Sequence, residues 1–151
     1  MSELRVVDAT TEDLAWIAAS AQAMARESEN KTLDPDTVAS GVAQLHAHPD
    51  RGFYLMAWRG DARAGTLMVT PEWSDWRNAW FWWIQSVYVD PAHRRAGVYR
   101  RLHEAVVRRA RAQGEVCGIR LYVDRDNGGA MATYRALGMD GSNYQLFEQS
   151  L

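Results

Sequence analysis

The stretch Val87-Tyr88-Val89-Asp90-Pro91-Ala92-His93-Arg94-Arg95-Ala96-Gly97-Val98-Tyr99-Arg100 joins a β-prone run to a helical one through a proline and a glycine. Such a junction can hold an anion. The first amides of a helix have no internal acceptors and lie at the positive end of its dipole. Gly97, at the helix start, has no Cβ to keep a phosphate oxygen off the backbone. Arg94, Arg95 and Arg100 add positive charge in side chains suited to phosphate geometry. Arginines here also fit a solvated helix face, which accounts well for Arg108 and Arg111. A metal is not expected: His46 and His48 stand near a helix end, and His93 and His103 lack the further pair of ligands that a zinc site needs.

The elements that would position these residues follow from periodicity. Glu3–Asp8 alternates as a first strand, and Thr10 before an acidic turn starts a helix that runs to about Glu27 through Leu14, Ile17, Ala18 and Ala21. Asp34-Pro35 caps a second helix ending near His48-Pro49. Gly52–Trp58 and Ala64–Thr70 flank a Gly60-Asp61 turn as a hairpin. Residues 71–78 read as a loop carrying Glu72-Trp73-Ser74-Asp75-Trp76. Ala79–Val89 is a long strand, apolar on both faces as in the middle of a sheet. Val98–Gln113 is a helix closed by Gly114, Gly118–Val123 a strand, Asn127–Leu137 a helix closed by Gly138, and Tyr144–Glu148 a last strand. The expected fold is α/β: a mixed, mostly antiparallel sheet with helices on both faces and a central parallel pair, Ala79–Val89 beside Gly118–Val123.

Composition bounds the rest. With 151 residues, 47% of them hydrophobic, the chain fits a single domain spanning residues 1–151 with a full core. A net charge of −2 carries no nucleic-acid footprint. No apolar run is long enough to span a bilayer, and Met1–Arg5 has neither the basic start nor the apolar core of a signal peptide. The one cysteine, Cys117, opens an apolar strand and is read as packing rather than as a nucleophile. A cytoplasmic protein without membrane or nucleic-acid partners is the expectation.

The anion stretch resembles the acyl-coenzyme A loop of the GNAT acetyltransferase superfamily, Arg/Gln-x-x-Gly-x-Gly/Ala after a strand ending Val-x-Pro. Here it stands as Arg94-Arg95-Ala96-Gly97-Val98-Tyr99, with Tyr99 in place of the small last residue. A second motif of the family, Asn-x-x-Ala-x-x-x-Tyr-x-x-x-Gly-Phe/Met, is matched by Asn127, Ala130, Tyr134, Gly138 and Met139. The order of elements matches that family over nearly the whole chain. The resemblance implies acetyl-coenzyme A as cofactor, without a metal. Its pyrophosphate would lie on the backbone of Arg95, Ala96, Gly97, Val98, Tyr99 and Arg100, with Arg94 beside it, and its pantetheine arm along Val87, Tyr88 and Val89 where the parallel pair splays. Asn127 belongs to the same cofactor set. Tyr99 narrows the approach unless its ring turns outward. Tyr134 would protonate the departing thiolate, which requires a phenol that stays protonated near neutral pH.

The resemblance also shows where the chain departs from its pattern. A glutamate is often found at the positions aligned with Trp83 and Tyr122, and neither is a carboxylate here. Gln85 faces the same side as Trp83 and can hydrogen-bond a water or substrate, which leaves Glu72, Asp75, Glu27, Glu29 or a water relay to take the proton. The acceptor of this fold usually enters between the first two helices and the loop before the central strand. Glu27, Glu29, Glu72 and Asp75 would bring carboxylates there, and Trp73, Trp76 and Trp80 aromatic faces for a cation. The implied reaction is N-acetylation of a small amine; a protein lysine or N-terminus, and a non-catalytic acyl-coenzyme A-binding module, are the alternatives. The same acids also suit a solvated loop, and the tryptophans a core or a homodimer interface.

Overall fold

The computed structural model describes residues 3–151. Its elements run β1 (Leu4–Asp8), α1 (Leu14–Glu29), α2 (Pro35–Ala47), β2 (Phe53–Arg59), β3 (Ala62–Ser74), β4 (Ala79–Val89), α3 (Val98–Gln113), β5 (Val116–Leu121) and α4 (Gly128–Ala136). The strands form one sheet in the order β1-β2-β3-β4-β5. All neighbours are antiparallel except β4 and β5, the expected parallel pair. None of the described helices is long and apolar enough to cross a membrane.

Two cores follow from the alternation of side chains along the strands. Leu55 and Ala57 of β2, Leu67 and Val69 of β3, and Trp82 and Ile84 of β4 pack with Val98, Leu102, Val106 and Ala110 of α3. On the other face, Tyr54 and Met56 pack with Ile17 of α1 and Val42 of α2. Helices therefore cover both faces, as expected. Local chemistry sets the helix starts. Asp34 accepts a hydrogen bond from the Thr37 amide at 2.9 Å, with Pro35 in the first turn of α2. Gln22 holds the connection after α1 by accepting from the Leu33 amide at 2.9 Å and donating to the Leu33 carbonyl at 2.7 Å. Asp13, 3% exposed, accepts from Arg63 Nε at 2.8 Å and ties the start of α1 to β3. Removing Arg63 would leave that buried carboxylate uncompensated.

Three expectations are corrected. Residues 71–74 are not loop: β3 continues through Pro71↔Trp82, Glu72↔Phe81, Trp73↔Trp80 and Ser74↔Ala79. The turn comes only at 75–78, where Asn78 takes φ 50°. Pro71 is tolerated because β2 pairing ends at Val69, leaving β3 one open side. The cross-strand pair Trp73–Trp80, with centroids 4.9 Å apart, clamps the extension. Second, Tyr144–Glu148 forms no strand; Tyr144 and Phe147 are exposed. A strand needs a paired edge for its stability, and this segment has none. Third, Cys117 is exposed rather than packed, its thiol donating to the Trp80 carbonyl at 3.3 Å. The strand Gly118–Val123 is observed two residues earlier, as Val116–Leu121.

Candidate active site

The parallel pair is incomplete by construction. It runs from Trp80↔Val116 to Ile84↔Leu121, while β4 continues to Val89. Pairing stops at Ile84, where β5 itself ends, so Val87, Tyr88 and Val89 have no β5 partner on that side. The register of β4 against β3 shifts at the same place, between Thr66↔Tyr88 and Met68↔Gln85. Ser86 lies in that bulge at φ 51°. Bulges re-aim the groups that follow them. Four described residues other than glycine have positive φ: Asn30, Asn78, Ser86 and Arg95. Asparagine accepts this conformation at a helix end or a turn, whereas serine and arginine adopt it at a cost. Both strained positions lie at or just after the end of β4 that β5 leaves unpaired.

The segment after β4 is held from several sides. Asp90 accepts from the Ala92 amide at 2.9 Å, and residues 91–93 make one 3₁₀ turn. Arg94 donates from Nε to the Val89 carbonyl and from Nη2 to Glu27, both at 2.9 Å. Its guanidinium staples the loop to the end of α1 rather than standing open to a phosphate. Burial and the Glu27 carboxylate push the neighbouring Tyr88 phenol above its usual range. Gly97 precedes α3 at φ 78°, and a Cβ built there meets nothing within 4 Å. The first bond of α3 runs from the Arg101 amide to the Gly97 carbonyl at 3.1 Å, so the amides of Val98, Tyr99 and Arg100 precede it. Gly65 lets this helix start approach the sheet: a Cβ on it would lie 2.9 Å from Val98 Cγ1. Arg95 and Arg100 are exposed, and Ala96 is half-buried. His93 buries Nδ1 without a hydrogen-bond partner, an arrangement that fits a site completed by a ligand.

Tyr99 turns inward. Its hydroxyl lies 3.0 Å from His103 Nδ1, and its ring meets that of Tyr134 edge-on with centroids 5.5 Å apart. Asn127 caps α4 by accepting from the Ala130 amide at 3.1 Å, which sets the helix that carries Tyr134. Burial raises the Tyr134 phenol above its ordinary 10.0, so it holds its proton throughout the neutral range.

Tyr134 lines a cavity of about 610 Å³ at the outer edge of β5. The cavity brings it together with Glu72, Trp73, Asp75 and Trp76 from the far end of the β3–β4 hairpin. Trp83 and Tyr122, the two positions without the family glutamate, stack in its wall with centroids 4.5 Å apart. Glu72 accepts from Arg120 Nη1 at 2.6 Å, and that guanidinium lies 3.5 Å from the Phe81 ring centroid. The remaining acceptor candidates lie elsewhere. Glu27 is on Arg94, Glu29 faces Lys31 at 3.9 Å, and Trp80 packs on Trp73 without lining the cavity. Gln85 donates from its amide nitrogen to Thr70 Oγ1. Arg120 was missed as a cavity residue, though the parallel register places it opposite Trp83. A second, smaller cavity of about 260 Å³ lies between α1, α2 and the Ser86 bulge, lined by Ile17, Val42, Tyr54 and Met68.

Comparison with known proteins bears on these features. The model of the acetyltransferase (GNAT) family matches residues 14–139. A mycothiol acetyltransferase of Catenulispora acidiphila is 32% identical over 130 residues, 84% of this chain, and the chain spans only 40% of that relative. Among solved structures, a possible acetyltransferase from Clostridium difficile 630 is 36% identical with a TM-score of 0.90, covering 98% of this chain and 97% of its own. AAC(6')-Iy, solved with the bisubstrate analogue CoA-S-monomethyl-acetylneamine, shares the fold at 14% identity and a TM-score of 0.78, covering 99% of each chain. The parallel pair that stops short of the end of β4, the glycine-led helix after it and the tyrosine on the helix beyond stand in a chain that matches the family model over most of its length, and this chain belongs to the acetyltransferase (GNAT) family.

Proposed function

We propose that this chain transfers the acetyl group of acetyl-coenzyme A to the primary amine of a small molecule, by direct attack within a ternary complex. The observation that carries the reading is the shared cavity: a half-buried, protonated Tyr134 lines the same space as Glu72, Asp75 and a wall of aromatic rings. Carboxylates and aromatic faces together suit a cationic amine. Acetyl-coenzyme A would supply a thioester; in net terms one N–C bond replaces one S–C bond, and a proton moves from nitrogen to sulfur. The residues present fit the cofactor. The amides at the start of α3 and the bare Gly97 backbone suit its pyrophosphate, with Arg95 and Arg100 beside them. Val87, Tyr88 and Val89 offer an unpaired strand side to an extended arm. Tyr134 Oη holds the proton required where the thiolate leaves. Glu72, or a water at the cavity mouth, takes the proton from the amine, and Gln85 orients a neighbouring polar group.

The test is a screen of acetyl transfer over diverse amines, reading thiol release. Small cationic amines are expected to be turned over. With an acceptor in hand, Asp75→Asn should raise its KM about 10-fold, the loss of one charge-assisted contact; Glu72→Gln should do the same and also lower kcat, since an amide takes no proton; both should leave coenzyme affinity unchanged. Turnover of lysine peptides but of no small amine would move the acceptor to a protein. Absence of thiol release with any amine would leave a binding module. Unchanged kinetics in both variants would remove the acids from the acceptor site.

A further inference from the structure

Most of the inward face of α3 is apolar: Val98, Leu102, Val106 and Ala110 lie in the core. His103 breaks the pattern, buried at 3% exposure one turn beyond Tyr99. A buried imidazole needs a partner, and the Tyr99 hydroxyl at 3.0 Å supplies it. Burial lowers the His103 pKa below 6.5, against the Glu104 carboxylate that would raise it, so the ring is neutral and can accept at Nδ1. Burial together with the nearby Tyr134 raises the Tyr99 phenol, so Tyr99 keeps its proton beside the neutral ring. Both partners are therefore uncharged at neutral pH, and one hydrogen bond joins them.

Tyr134 stands in different surroundings. Its helix, α4, has nine residues and no buried one. A helix so lightly packed does little to fix a side chain. The ring of Tyr99 meets the ring of Tyr134 at 69°. Edge-to-face pairs of this kind have a preferred geometry and attract beyond the area they bury. Moreover, Tyr99 occupies the loop position where the family pattern carries a small residue, so a ring is present here that the pattern does not require.

We propose that Tyr99 and His103 are positioning residues for Tyr134: the hydroxyl–imidazole bond locks the Tyr99 ring, and the locked ring holds the Tyr134 phenol in place. The inference rests on Tyr134 acting as the proton donor, and the experiment separates the two. Steady-state kinetics with a discovered acceptor are compared for Tyr99→Ala, Tyr99→Phe, His103→Leu and His103→Asn, each checked for folding by its melting temperature. Tyr99→Ala should lower kcat at least 10-fold with little change in the KM for acetyl-coenzyme A, since misplacing a reacting group by about 1 Å can cost 10²-fold. Tyr99→Phe and His103→Leu break the lock and should lower kcat by a smaller factor. His103→Asn places an acceptor oxygen near the position of Nδ1 and should restore most of that loss, which a packing role alone would not do. In a Tyr134→Phe background, Tyr99→Ala should add no further loss. A large loss in Tyr134→Phe with full kcat in Tyr99→Phe, His103→Leu and any folded Tyr99→Ala would overturn the positioning role and leave the proton donor standing. A raised cofactor KM with unchanged kcat would make Tyr99 a cofactor contact and also overturn it. No loss in Tyr134→Phe itself would remove the donor, and the positioning role with it.

Discussion

Tyr134→Phe should lower kcat by about 10²–10⁴-fold, the usual contribution of a positioned general acid. The substitution keeps the ring, so the edge-to-face contact with Tyr99 and the folding of α4 should persist. It removes only the proton that burial keeps on the phenol. The loss should appear in kcat and kcat/KM alike, because the donor acts only as the thiolate departs. Coenzyme binding should survive, since the amides assigned to the pyrophosphate lie at the start of α3, on another element. Activity partly restored by an activated thioester, whose thiolate leaves without protonation, would identify the missing step. The pH profile carries the same information. Because the Tyr134 pKa is raised, the protonated phenol is present at neutral pH and is lost only above 10.0, so any alkaline limb due to it should lie beyond that value. A Tyr134→Phe protein with the wild-type rate, measured where chemistry limits turnover, would sink the assignment.

Gly97→Val should weaken coenzyme A binding by at least 100-fold, read by calorimetry. Two effects combine. At φ 78° a β-branched residue is strained by about 1–2 kcal/mol, which alone reshapes the loop. Its methyl groups would also project into the space above the backbone where a Cβ now meets nothing. That space is open to a ligand and not to any side chain of the protein. The fold should survive, because such a cost is small beside the 5–15 kcal/mol, on the order of magnitude, that holds a domain together. Gly97→Ala supplies the intermediate case, with similar strain and less bulk. Equal affinities for wild type and Gly97→Val would remove the loop from the cofactor site.

What could be read from the sequence was what is decided locally. The Asp34-Pro35 cap, the Gly60-Asp61 hairpin and the glycine before α3 each depend on a few neighbouring residues, and each stands where expected. The parallel pair was legible because a strand, a helix and a strand in succession permit few other arrangements. Less was legible where distant residues decide. Pro71 looked like the end of a strand, yet Trp73 and Trp80 continue the ladder past it. The alternating segment at Tyr144–Glu148 has strand character but forms no ladder with the sheet, which ends at β5. The acidic residues had equal standing as sequence; in space Glu72 and Asp75 join Tyr134, while Glu27 is taken by Arg94 from a different part of the chain. The inward turn of Tyr99 depends on His103, whose burial no local pattern announces.

Ser86 and Arg95 place this protein on a trade-off between heat resistance and turnover. Each holds a left-handed backbone that costs about 1–3 kcal/mol, and each lies where β4 leaves its partner or where the loop prepares α3. Glycine at either position would relieve the strain but would also loosen the backbone whose direction the strain maintains. Part of the gain would be offset by the greater entropy of the unfolded chain. Ser86→Gly and Arg95→Gly should therefore raise the melting temperature by roughly 2–4 °C, for a net gain of about 1 kcal/mol, while lowering catalytic efficiency. Selection for thermal survival alone would be drawn to these two positions, and the enzyme it returned would be steadier and slower.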